Sequence, residues 1–183
     1  MHTALLLIDF QNDYFPGGHM ELVGSLEAAA HAAEALALFR ERGLPVFHVR
    51  HEAHREGASF FLPGTEGAAI HVSVRPVEGE AVVVKHAPNS FRDTDLLALL
   101  RESGAKRLVV AGMMTHMCLD AGVRAAVDFG FECLVLSDAS ATRDLDFGGH
   151  VIPAAQVHGA FMAALGAAYG QILTVPELSA RLD

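Results

Sequence analysis

Short, nearly continuous apolar runs alternate along the chain with stretches whose apolar positions recur every three to four residues. The runs at 4–8, 45–49, 81–84, 106–111, 132–136 and 171–174 read as strands, and their lack of a polar alternation marks strands buried on both faces. The stretches at 26–42, 94–103, 115–129 and 151–169 read as helices. Ser25 and Thr94 stand where N-caps belong, and Gly43, Gly104 and Gly130 follow where helices should stop. This alternation predicts an α/β fold of three layers: a six-stranded, mostly parallel, Rossmann-like sheet with helices on both faces. Residues 50–79 are aperiodic and hold glycine and histidine, so they read as a long loop, and such loops in compact domains are usually functional. No repeat, low-complexity segment or linker interrupts the pattern, so a single domain over 1–183 is expected.

Parallel sheets take their ligands at the carboxyl ends of the strands. Three polar residues stand just past such ends. Asp9 follows Ala4-Leu5-Leu6-Leu7-Ile8, Lys85 follows Ala81-Val82-Val83-Val84, and Cys118 follows the fourth strand through a short turn. Cys118 also opens a predicted helix, where unpaired N–H groups and the helix dipole favour a thiolate. An acid, a cation and a thiol at one sheet edge form a plausible nucleophilic site. The carboxylate can accept the thiol proton, and the ammonium can stabilise the resulting charge.

Composition narrows the partners. Of 183 residues, 51% are hydrophobic and 19% charged, which is a globular balance. No apolar run approaches the roughly 20 residues that span a bilayer, so no membrane association is expected. A net charge of −9 argues against nucleic acid, whose binding needs a basic surface. The opening Met1-His2-Thr3 shows no basic segment and no cleavage site, so a cytoplasmic location is expected. A structural disulfide between Cys118 and Cys133 is then not expected, and Cys133, inside a strand, reads as an inert core thiol.

Three segments also carry a family resemblance. They are Asp9-Phe10-Gln11-Asn12-Asp13-Tyr14, the stretch Lys85-His86-Ala87-Pro88-Asn89-Ser90-Phe91-Arg92-Asp93-Thr94-Asp95-Leu96, and Gly112-Met113-Met114-Thr115-His116-Met117-Cys118. Together, in this order and each at a strand end, they resemble the isochorismatase-like cysteine hydrolases, a superfamily that includes nicotinamidases, N-carbamoylsarcosine amidases and streptothricin hydrolases. The likeness runs along nearly the whole chain, and the wording around Cys118 looks closest to the streptothricin hydrolases. The resemblance implies a catalytic triad of Asp9, Lys85 and Cys118. It also implies a cis peptide between Met113 and Met114, and an oxyanion hole made by the N–H groups of Met114 and Cys118. The substrate would be a small molecule with a carbon–nitrogen bond to cleave, in an amide, lactam or carbamoyl group, and the protein would be a homo-oligomer, a dimer or higher. Members that cleave an enol ether commonly lack the cysteine, so its presence favours amide chemistry. An enol-ether hydrolase using Asp9 and Lys85 alone is one alternative. A non-catalytic scaffold that binds a small molecule or responds to redox state is another.

Other candidates compete or assist. A Cys118–His116 dyad is disfavoured, because residues two apart on a helix do not face each other, and Asp120 meets the same objection. His48, His51, His54 and His71 raise the question of a metal. Metal-binding nicotinamidases of the resembled family have an Asp-x-His pair after the second strand, whereas this chain reads Val46-Phe47-His48-Val49-Arg50-His51, so no metal is expected. No Gly-x-Gly-x-x-Gly or Walker pattern occurs, and no cofactor is expected. Gln11, Phe15, Phe60 and Met117 are candidate substrate contacts, with Tyr14 and Phe61 beside them. Packing in the core or at a subunit interface accounts for the apolar ones equally well. His158 reads as a satisfied histidine on a packed helix.

Overall fold

A strand buried along its whole length belongs in the middle of a sheet. In the computed structural model, which describes residues 2–182, β1 (Thr3–Ile8) has all six residues buried. It lies between β2 (Val46–His51) and the fourth strand, with β3 (Ala81–Lys85) beyond β2. After α1 (Ser25–Glu41), which precedes β2, the chain forms α2 (Leu96–Glu102), β4 (Arg107–Met113), α3 (Asp120–Asp128) and β5 (Glu132–Ala141). A hairpin of β6 (Leu145–Phe147) and β7 (His150–Ile152) leads to α4 (Ala154–Ala168), β8 (Gln171–Leu173) and α5 (Val175–Ser179). The main sheet runs β3-β2-β1-β4-β5-β8, and every neighbouring pair is parallel. The expectation of a mostly parallel sheet is thus exceeded.

Strand periodicity sorts the core into two layers. Leu5 and Leu7 of β1 join Ala28, Ala32, Leu36 and Phe39 of α1 and Leu178 of α5 on one face. Ala4, Leu6 and Ile8 join Leu96 and Leu100 of α2, Val123 and Ala126 of α3, and Met162 and Leu165 of α4 on the other. The alanines of α1 let that helix lie close to the sheet. Gly112 does the same between strands, since a Cβ there would sit 2.6 Å from the Ile8 carbonyl oxygen. The strand ends carrying Asp9 and the Cys118 turn are thereby drawn together.

Several boundaries differ from the pattern reading. The fifth strand continues five residues further, to Ala141. The segment expected to begin the last helix at 151 is instead the second strand of the β6–β7 hairpin, and Pro153 marks the entry to α4. Ser25 is the first residue of α1 rather than its cap; Gly24, in a left-handed conformation, precedes it. The helix expected from 94 starts at Leu96, where Thr94 Oγ1 accepts the Leu96 N–H at 3.4 Å. The long loop holds two short helical turns, Glu66–Ala68 and Val72–Val74. Among the described residues, no helix is long and apolar enough to cross a membrane.

Candidate active site

Asp9, Lys85 and Cys118 meet at the carboxyl edge of the sheet. Asp9 is the first residue past β1 and has φ 56°, a left-handed conformation that Asp tolerates better than most residues. Its N–H donates to the Val49 carbonyl at 2.9 Å, and its own carbonyl accepts the Gln11 N–H at 2.9 Å. This turn points the carboxyl group inward. Lys85 is the last residue of β3. The chain leaves β4 through a cis peptide between Met113 and Met114 and then makes a wide turn at Thr115–Leu119, in which the Leu119 N–H reaches back to the Met114 carbonyl at 3.3 Å. Cys118 lies in that turn. Among the described residues no carbonyl accepts the Met114 N–H.

Lys85 Nζ is the hub. It lies 2.8 Å from Asp9 Oδ2, 3.2 Å from Cys118 Sγ, 3.1 Å from His51 Nδ1 and 3.1 Å from the Ala87 carbonyl. The Asp9 and Lys85 side chains have no solvent exposure, and Cys118 is buried. Neither Asp9 carboxylate oxygen has a hydrogen bond of good geometry among the described residues, so Oδ2 meets Lys85 as an ion pair. Burial alone would pull the Lys85 ammonium down. The Asp9 charge, followed by the contact with the Cys118 sulfur, outweighs it and holds the lysine above its ordinary range. Burial, followed by the Asp9 carboxylate, pushes the Cys118 thiol far up, and Lys85 opposes this without cancelling it. The sulfur therefore rests as a thiol beside the Lys85 ammonium. This differs from the expectation of a thiolate held by a helix N-terminus: Cys118 precedes α3 in a wide turn, and its burial favours the neutral thiol.

The thiol opens into a cavity of about 240 Å³. Tyr14, Phe60, Phe61, Met114 and Met117 form its apolar wall, and His51, His54, Arg55 and His86 also line it. Tyr14 and Phe61 have ring centroids 4.6 Å apart, and Phe60 meets Phe61 edge-on at 5.0 Å. Phe61 has φ 56°, and its N–H donates to Asp13 Oδ2 at 2.6 Å. Asp13 also accepts from His19, so one buried carboxylate ties the loop to the segment after β1.

Of the predicted substrate contacts, Phe60 and Met117 line this cavity. Gln11 and Phe15 do not. Gln11 is wholly buried and its amide is committed: Nε2 donates to the His51 and Ala68 carbonyls, both at 2.8 Å, and Oε1 accepts the His51 N–H at 2.7 Å. Phe15 stacks on His71 at 3.8 Å and lines a separate, larger groove of about 870 Å³. The four histidines do not converge. His48 Nε2 binds Glu80 at 2.9 Å within an Arg40–Glu80 pair, His71 Nδ1 contacts Ser73, and His54 packs on His86. His54 lines the cavity, and of the four only His51 contacts Lys85. Single donor atoms of Asp9, His51 and Cys118 lie within 4.8 Å of one another, but the Lys85 ammonium already sits among them and would repel a cation. His116 is turned away, with Nδ1 2.6 Å from Thr142 Oγ1, and His158 Nδ1 is 2.9 Å from Thr115 Oγ1. Burial raises Cys133 to about 12, as suits an inert thiol.

His51 is the site residue the sequence reading missed as a partner of Lys85. A signal existed: it ends β2 as Lys85 ends β3, and the register pairs the two directly.

A parallel α/β sheet with a buried thiol, lysine and aspartate at its carboxyl edge defines an enzyme of the cysteine-hydrolase type. Residues 3–166 match the family model for the isochorismatase domain, and the chain belongs to the isochorismatase family of hydrolases. It is 55% identical over 174 residues to the isochorismatase family protein YddQ of Bacillus subtilis (strain 168), covering 95% of this chain and 97% of that one. An isochorismatase-hydrolase homologue from Oleispira antarctica, known by crystal structure, superposes with a TM-score of 0.95 at 58% identity, covering 98% of this chain and 96% of the other. A maleamate amidohydrolase of Pseudomonas putida is 29% identical over 185 residues, covering 93% of this chain and 82% of its own.

Proposed function

We propose that the chain hydrolyses the carbon–nitrogen bond of a small amide, lactam or carbamoyl compound through a thioester on Cys118. The observation that carries this reading is the contact of Lys85 Nζ with both Asp9 and Cys118 at the end of a cavity that the sulfur itself lines. Asp9 takes the thiol proton, and Sγ attacks the carbonyl carbon. The oxyanion is held by the N–H groups of Met114 and Cys118, donors of the kind whose single removal typically costs about 10²–10³ in rate. As the tetrahedral intermediate collapses, the C–N bond breaks and Asp9 returns its proton to the departing nitrogen. Asp9 then takes a proton from water, and the hydroxide attacks the thioester. The carboxylic acid leaves, and the sulfur recovers its proton from Asp9.

Size supports a small substrate, since the cavity falls below the roughly 300 Å³ at which drug-sized pockets begin. The maleamate amidohydrolase relative performs amide hydrolysis by its name, and the cysteine favours amide over enol-ether chemistry. A panel of small amides with ammonia release as readout tests the reading, with intact-mass detection of an acylated Cys118. Cys118→Ala should abolish turnover, a loss of at least about 10⁴-fold. Retained turnover would instead favour the enol-ether alternative, which needs no thiol.

A further inference from the structure

A lysine ammonium has three hydrogens to donate, and Lys85 faces four acceptors: Asp9 Oδ2, His51 Nδ1, the Ala87 carbonyl and Cys118 Sγ, all within 3.2 Å. One acceptor must always go without. The two that compete are Asp9 Oδ2, the shortest contact at 2.8 Å, and Cys118 Sγ, the longest at 3.2 Å, since a protonated thiol is a weak acceptor. Once Asp9 has taken the proton, the strengths reverse: the thiolate needs a donor and the neutral carboxyl group needs one less. A Lys85 hydrogen must then pass from Asp9 to Cys118 while the proton passes the other way. That exchange is productive only if the other two hydrogens stay where they are. We infer that His51 is a positioning residue, whose Nδ1 acts with the Ala87 carbonyl to hold two Lys85 hydrogens fixed while the third alternates between Asp9 and Cys118.

Two further observations support this role. The His51 backbone is clamped on both sides by one buried side chain, since Gln11 accepts its N–H at 2.7 Å and donates to its carbonyl at 2.8 Å. Gln11 lies two residues past Asp9, so base and positioning group are locked to the same turn. The ring must also be neutral to accept from an ammonium. Burial, then the Lys85 charge, brings His51 down to about 4, with Asp9, His86 and Arg55 as the other charged or titratable groups acting on it. Nδ1 thus keeps its lone pair near neutral pH, and the hydrogen of the ring rests on Nε2.

The role rests on the proposed nucleophile, yet its test does not require a substrate. In a Cys133→Ala background, iodoacetamide labelling of Cys118 is followed across pH, and kcat and KM are measured on any amide that is turned over. His51→Ala should slow Cys118 labelling and lower kcat by about 10²-fold each, with KM unchanged. His51→Asn, whose amide oxygen can accept from Lys85, should restore most of both. Parent-like labelling in His51→Ala would overturn the inference. So would a rise in KM at unchanged kcat, which would make His51 a substrate contact. If His51→Ala does not fold, His51→Asn decides alone: a parent-like pH profile of labelling supports the role, and a profile that has lost the reactive thiol overturns it. Failure of every amide on the panel counts against the proposed function only, because the labelling result stands without it.

Discussion

Asp9 sits at φ 56° beside a lysine with no solvent exposure, and both facts bear on what a substitution would do. Asn is the other residue that visits this conformation readily, so Asp9→Asn keeps the turn while removing the base. Its kcat should fall by about 10²–10⁴-fold. It also leaves Lys85 buried without a counter-charge, which should cost about 3–5 kcal/mol of stability. The double variant Asp9→Asn/Lys85→Met removes both charges and should recover much of that stability with no activity, a pattern read by thermal unfolding beside an activity assay. At this scale the sequence was legible where a polar residue stands at a strand end, since Asp9, Lys85 and Cys118 do meet there. Spacing alone could not place the histidines. His48 and His51 are three apart on a strand, so alternation sends them to opposite faces, one to Glu80 and the other to Lys85. The role of Gln11 could not be read at all, because its partners lie 40 and 57 residues away in the chain.

Among the elements, β4 decides how closely Asp9 and Cys118 approach. A Cβ on Gly112 would lie 2.6 Å from the Ile8 carbonyl oxygen and 2.8 Å from the Ile8 Cβ, and neither is the free end of a flexible side chain. Gly112→Ala must push β4 off β1. It should cost about 1–3 kcal/mol and lower kcat in proportion more than an equally destabilising change remote from the sheet edge. Chemical unfolding beside kcat separates the two effects; a destabilised variant with parent-like kcat would show that the strand spacing does not set the site. Helix and strand identity was readable from period alone, because the core strands are apolar on both faces. The ends were not. The wide turn holding Cys118 has the same apolar spacing as the helix it precedes, and β6–β7 is too short for a period to register.

The whole molecule carries a predictable response to acid. His51 is depressed to about 4, and burial also lowers His48, His71, His116 and His158 below the ordinary histidine value of 6.5. The unfolded chain therefore binds more protons than the folded one as pH falls from 6.5 towards these lower values, and stability should decline across that window. Glu80 is held near 2 despite its burial, because Arg40, the Val77 N–H and His48 bind its charged form. Its contribution is present above the ordinary 4.5 and is lost as pH falls towards 2, so a second decline should follow the first. Unfolding temperature followed from neutral pH to about 3 checks both stages, and a flat profile between 6.5 and 4.5 would contradict the first. The strand order β3-β2-β1-β4 has one last consequence. Asp9, His51 and Lys85 all lie before the connection at 103–106, and Cys118 lies after it. On the proposed mechanism, neither half of the chain holds a catalyst. Cut there, the protein would become a pair of silent fragments whose activity reports only on whether β4 has found its place against β1.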